Sequence, residues 1–235
     1  MPEIIYGIRP VIEALRGRRR KVFEVLDASG NGEVAQAATA AGVVPVKKVP
    51  HARVRELARG GVHQGVAARA EPYPYAKLED LLAAPEPLVV LLDGVTDPHN
   101  LGAVLRVVDG AGASGVVIPK NRTVGVTAAV VKASAGASEH VPVAQVTNLR
   151  RAIDAMKKVG LWVYAAEVGV TPYTELDLAG PVGLVLGSEG RGMRRLVREG
   201  CDGAVCVPML GAVGSLNVSV AAAVLLYEAR RQRGR

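Results

Sequence analysis

Three stretches of this chain repeat one form: a short apolar run, then polar residues set among glycines, then a helical pattern. They are Leu88–Arg106 (LVVLLDGVTDPHNLGAVLR), Val182–Met193 (VGLVLGSEGRGM) and Val205–Arg231, which opens VCVPMLGAVGSLNVSV. Apolar runs of this length bounded by glycine and proline read as strands buried on both faces, which is how parallel sheets are built. Parallel strands place the loops that follow them at one edge of the sheet, where open α/β folds hold their ligands. Three glycine loops leaving three such strands therefore predict one shared pocket.

The rest of the chain alternates in the same way. Strands are expected near residues 89–92, 115–118, 141–144, 161–165, 183–186 and 204–207, and helices over 100–111, 126–134, 149–159, 191–199 and 215–231. That alternation predicts an α/β fold with a parallel sheet and helices on both faces. In the last helix Leu216, Val220, Val224 and Tyr227 fall on one stripe, and Ser215 is the expected N-cap. Before residue 71 the units are shorter, with strands at 4–6, 22–27, 43–46 and 65–69 and helices at 7–15, 33–41 and 51–59, a small α/β domain. Glu71–Ala76 (EPYPYA) holds two prolines and reads as an extended linker. The expected organisation is residues 1–70 as a first domain, 71–84 as linker and first helix, and 85–235 as the main domain.

The basic excess is localised. Residues 1–70 carry twelve Lys or Arg against six Asp or Glu, so +6 of the net +7 lies there, with the run RGRRRK at Arg16–Lys21. Excess positive charge in one region fits a polyanion partner, most simply nucleic acid, or else a solvated basic surface. Aromatics are few, so stacking of bases on an aromatic sheet is not the expected mode. Cys201 and Cys206 have no second pair, and His51, His63, His99 and His140 are scattered, so no metal site is expected. The start MPEIIYG lacks a basic-then-apolar leader and no apolar run reaches about 20 residues, so a cytoplasmic protein is the expectation. The turn after Leu92 reads DGVTDPHNLG, which lacks the G-x-G-x-x-G of a Rossmann dinucleotide site.

The segments NLGAVLR, LGSEGRGM and VPMLGAVGSLNVSVAAAVLLYE resemble, in order and in their polar residues, the three motifs of the TrmH (SpoU) branch of the SPOUT RNA 2′-O-methyltransferases. The opening IIYGIRPVIEAL and the stretch HQGVAA further resemble the family members that methylate guanosine in 23S ribosomal RNA. The resemblance covers nearly the whole chain. It implies a C-terminal trefoil knot, an S-adenosylmethionine cofactor, a ribosomal RNA substrate captured by the small first domain, and a homodimer.

By the same resemblance the catalytic positions are Arg106, Asn100, Glu189, Asn217 and Ser215. Gly187, Val207 and Leu216 fall where the cofactor is held, with Leu186, Met209 and Leu210 beside them. Taken singly, each of these apolar residues is equally a core residue. Arg106 stands in an apolar helix, where a charge needs a partner, either a substrate or a salt bridge to Asp109 or Glu189. The family's arginine is proposed as the base for the 2′-hydroxyl, but a guanidinium keeps its proton in proteins. A clamp on RNA phosphate that also stabilises the forming alkoxide is the reading its chemistry supports. Asn100 orients Arg106 or the ribose, or caps a helix; Glu189 orders its loop or is a solvated carboxylate; Asn217 and Ser215 fix the third loop. Ser215 has no histidine beside it in the motif and is not expected to be a nucleophile. Arg9, Arg18, Arg19 and Arg20 are the expected contacts to RNA backbone. Within the class, a tRNA enzyme or an adenosine-specific ribosomal RNA enzyme is the alternative; outside it, a non-catalytic RNA-binding assembly factor.

Overall fold

The structure is a computed structural model that describes residues 2–188, 190 and 192–234. In chain order the elements are β1 (Glu3–Tyr6), α1 (Ile8–Gly17), β2 (Val22–Asp27), α2 (Gly32–Ala40), β3 (Val46–Lys48), α3 (His51–Leu57), β4 (Val66–Ala70), α4 (Leu78–Leu82), β5 (Leu88–Asp93), α5 (Pro98–Gly110), β6 (Gly115–Pro119), α6 (Ala128–Ala133), β7 (Val143–Val146), α7 (Leu149–Lys158), β8 (Trp162–Ala166), β9 (Val182–Gly187), α8 (Arg195–Arg198), β10 (Gly203–Val205) and α9 (Val218–Gln232). The chain divides into two compact units, residues 2–74 with 126–140, and 75–125 with 141–234. No helix among the described residues is long and apolar enough to cross a membrane.

The second unit is a six-stranded, wholly parallel sheet in the order β10-β8-β9-β5-β6-β7. Every residue of β5 and β6 is buried, as continuous apolar runs require when helices cover both faces. From β5 the chain steps outward through β6 to β7, then returns to the other side of β5 as β8 and β9. Order thus reverses between β5 and β9, and loops leaving their carboxyl ends diverge to leave a crevice. Helix α7 closes one face with Leu149, Ala152, Ile153 and Met156, which pack with Val163 and Val185.

Helix α9 departs from the expected register. It starts at Val218, capped by Asn217, whose side-chain oxygen accepts from the Ser219 amide at 2.9 Å, so Ser215 is not the cap. Its buried face is Val218, Ala222, Leu225, Leu226 and Ala229, whereas Val220 and Tyr227 are 47% and 54% exposed. SVAAAVLLYE is apolar around most of its circumference, so periodicity could not say which side faces the sheet. Near its end Arg231 and Gln232 donate to the Glu228 carboxylate at 2.8 Å and hold its pKa down to about 2.

The first unit is a four-stranded mixed sheet, β1-β4-β2-β3, with only β2 and β3 parallel. Amphipathic α1 buries Val11, Ile12, Ala14 and Leu15. The segment 126–140 belongs to this unit although it lies between β6 and β7 in sequence. Arg20 fastens it there: with a side chain 1% exposed, it donates to Glu139 Oε1 at 2.6 Å and Oε2 at 3.1 Å, and Glu139 is itself 0% exposed. Arg20 also reaches Glu3 at 2.9 Å and stacks over the Tyr73 ring, while the Tyr73 hydroxyl donates to the Ser138 carbonyl. The expectation that Arg20 contacts RNA is therefore corrected, because a charge this buried is committed to its carboxylate. Arg19 is also tied inward, donating to the Glu139 and His140 carbonyls.

A buried ion pair broken on one side leaves an uncompensated charge, at a cost of about 3–5 kcal/mol. Glu139→Leu is expected to lower stability by about 3 kcal/mol, since Glu3 remains beside Arg20. Arg20→Met with Glu139→Leu is expected to recover most of the loss, as read by urea denaturation; equal loss in both variants would contradict the pairing account.

Candidate active site

The second glycine loop is set by one close approach. Beyond Gly187 the chain turns so tightly that Ser188 and Gly192 exchange both backbone hydrogen bonds, at 3.1 and 2.9 Å. A Cβ on Gly187 would lie 2.4 Å from the Gly192 carbonyl carbon, so only glycine fits. Gly190 and Gly192 adopt φ of 77° and 65°, which glycine takes without strain. Asp93, 1% exposed at the end of β5, holds the loop's far side by accepting from the Arg194 amide at 2.8 Å and its Nε at 2.7 Å. A carboxylate ending an apolar strand was the sequence signal for this clamp.

The third loop follows β10. Cys206 bridges to Pro172, its amide donating to the Thr171 carbonyl, and Asn217 gathers the far end. The Asn217 amide nitrogen donates to Asn100 Oδ1 at 2.9 Å, joining the third segment to the first. Asn100 lies in the first turn of α5, whose cap is Asp97 with Pro98 following. Asn100 is thus not the cap that an asparagine in a turn offers by default.

Between these loops lies a cavity of about 370 Å³ at the carboxyl ends of β8, β9 and β10. Leu186, Gly187, Val207, Met209, Ser215 and Leu216 line it, while Leu210 is 100% exposed and does not. Ala166, Glu167, Val168, Val205, Ala221 and Leu225 also line it, and sequence reasoning had not selected them. The signal for the first three was their place at the end of a buried strand. The chemistry of the lining fits an adenosyl group: apolar walls for a flat base, and loop backbone at Gly187, Gly190 and Gly192 that a ligand can approach closely.

Arg106 is exposed on α5, does not line the cavity, and forms no ion pair with Asp109. Glu189 lies outside the described residues. Arg9 makes an exposed pair with Glu33 at 3.2 Å, and Arg18 donates to the Ala40 carbonyl at 3.0 Å. Burial pushes the Cys201 thiol up to about 11, which keeps it protonated and unreactive at neutral pH. Among the described residues no cluster of three or more His, Cys, Asp or Glu could hold a metal.

A parallel α/β sheet with a glycine-walled cavity at the carboxyl ends of its strands defines an open α/β ligand-binding protein. The SpoU rRNA Methylase family matches residues 87–227, and the RNA 2′-O ribose methyltransferase substrate binding family matches residues 4–76. The chain belongs to the SpoU rRNA methylase family. It is 44% identical to the 23S rRNA (guanosine-2′-O-)-methyltransferase RlmB of Ralstonia nicotianae, over 98% of this chain and 96% of that one. An uncharacterised tRNA/rRNA methyltransferase of Synechocystis is 40% identical over 99% of this chain, which spans 63% of that longer relative. The fold is similar to that of the SpoU methyltransferase AviRb of Streptomyces viridochromogenes in complex with AdoMet, with a TM-score of 0.85, 25% identity, and coverage of 99% and 90%.

Gly187→Ala must push the Gly192 backbone away. Isothermal titration with S-adenosylmethionine is expected to show affinity reduced by at least about tenfold, roughly the effect of 1.4 kcal/mol; unchanged affinity would mean this loop is not where the cofactor sits.

Proposed function

We propose that the chain transfers a methyl group from S-adenosylmethionine to the ribose 2′-hydroxyl of a guanosine in 23S ribosomal RNA. The observation that carries this reading is the cavity walled by the second and third glycine loops, with Asn217 on Asn100 tying the first segment to the third. Several relatives matched over nearly the whole of both chains carry this activity in their names. The bound cofactor supplies an activated methyl on sulfur.

The chain's own residues bind and align. Gly187 admits the cofactor to the backbone of its loop, and Leu186, Val207, Met209 and Leu216 pack its base. Ser215 and Asn217 hold the third loop. Arg106 grips the RNA phosphate and stabilises charge growing on the ribose oxygen. Alignment of hydroxyl, methyl and sulfur is where most acceleration arises, since positioning can supply roughly 7–11 kcal/mol.

Arg106 reaches a cavity it does not line by way of a second copy. The outward face of α9, with Val220 and Tyr227 exposed beside α5, is an apolar surface of the kind that associates. The chain is a homodimer through this face, and Arg106 works at the shared boundary. The C-terminal segment forms a trefoil knot, a reading supported by a chain that leaves β10 at the sheet edge and comes back to lay α9 against β9 and α5. The first unit captures RNA with Arg9, whose exposed pair with Glu33 is weak enough for phosphate to displace, and with the exposed Arg18. The protein works in the cytoplasm, with its RNA.

Ribose-methylation mapping of 23S ribosomal RNA tests the proposal. One guanosine is expected to lose its 2′-O-methyl group in a strain lacking this chain and regain it on complementation; an unchanged map would end the 23S reading. Arg106→Lys, a change from a planar fork to a point charge, is expected to slow single-turnover methylation at saturating RNA by about 10²-fold. The variant should still sediment as a dimer, and near-full turnover would remove the clamp role.

A further inference from the structure

The first unit holds a second cavity, of about 600 Å³, between the end of α1, the start of β2 and the turn joining α2 to β3. Phe23, the chain's single phenylalanine, lines it and is 39% exposed. An exposed ring on a strand calls for a cause. Pairing with β4 steps from Val22 opposite Ala70 to Glu24 opposite Arg69, so Phe23 is the unpaired residue of a β-bulge. A bulge re-aims one side chain out of the strand's alternation. Here it turns the ring into the cavity.

One cation lies against that ring and a second shares its cavity. The Lys21 ammonium lies 5.7 Å from the ring centroid, and Arg18 lines the same space. The Ala40 carbonyl accepts one N–H of Arg18, and a guanidinium has five. Arg20, also at the cavity wall, is buried on its carboxylate and adds no free charge. Opposite, Val43 stands 77% exposed with φ of 61°, a conformation that a β-branched residue rarely adopts. It presents an apolar side chain to the same cavity.

A flat apolar ring beside two cations matches one ligand chemistry, an unpaired nucleobase with its phosphate. Bases stack on an aromatic face whatever their identity, and cations alongside take the backbone. We propose that this cavity captures an unpaired nucleotide of the substrate RNA, the base on Phe23 and the phosphate between Lys21 and Arg18. The proposal rests on the reading of the first unit as the RNA-capturing part and names the residues that do it. Stacking here uses one ring re-aimed by a bulge, not a sheet of aromatics.

The test uses the full chain and a short fluorescein-labelled oligoadenylate, single-stranded or annealed to its complement, by fluorescence anisotropy. Phe23→Ala is expected to weaken single-strand binding roughly 5- to 150-fold and Phe23→Tyr to stay within about twofold of the native chain. Binding to the duplex should hardly change, and Lys21→Ala should reduce the salt slope by about 0.7. The far-UV circular dichroism and urea-unfolding transition of Phe23→Ala should match those of the native chain, which shows that the first unit of the variant is folded. Unchanged single-strand affinity in Phe23→Ala, or an equal loss on duplex, would overturn the proposal, as would failure of the native chain to bind the oligonucleotide. Failure of the native chain to take up cofactor or methylate RNA would instead strike the methyltransferase reading and leave the stacking result standing.

Discussion

The contact between Gly187 and the backbone of Gly192 is the constraint from which the cavity follows. Two backbones at this distance leave no room for a Cβ, and the Ser188–Gly192 hydrogen-bond pair holds them there. With the second loop folded so tightly onto β9, the space above the sheet edge is left to the third loop and to a ligand. Asp93 fixes the opposite side through Arg194, so the loop is pinned at both ends by the two central strands.

The Asn100–Asn217 bond extends that order across the fold. It joins residues 117 apart in sequence through a group that also caps α9. One asparagine thus sets where the last helix begins and which residue of α5 it touches. A helix start moved to Ser215 would carry Leu216 into the helix and out of the loop that walls the cavity. Cap and cofactor wall are therefore linked by the same side chain.

The first unit shows how a basic run divides its labour. In RGRRRK, Arg20 is spent on Glu139 and secures the 126–140 segment, and Arg19 binds backbone carbonyls. Arg18 and Lys21 are left at the rim of a cavity whose floor includes a re-aimed phenylalanine. The electrostatic excess noted in the sequence is real, but only part of it faces outward.

The strands, the glycine loops and the α/β class were legible because each depends on residues close in sequence: an unbroken LVVLLD between Pro87 and Gly94 reads as a strand buried on both faces, and a glycine cluster marks where backbone must turn or approach closely. The family's motif residues that wall the cavity were legible for the same reason. What sequence could not tell was direction. Val220 and Tyr227 face outward because α9 is apolar on two sides and only the partners on β9 and α5 choose between them. Arg20 is buried because a carboxylate 119 residues away meets it, and Phe23 is exposed because β4 pairs past it with a shift in register. Local pattern determined which elements this chain forms and where its loops lie; long-range pairing alone decided which faces are buried, which charges are free and which ring is offered to a ligand.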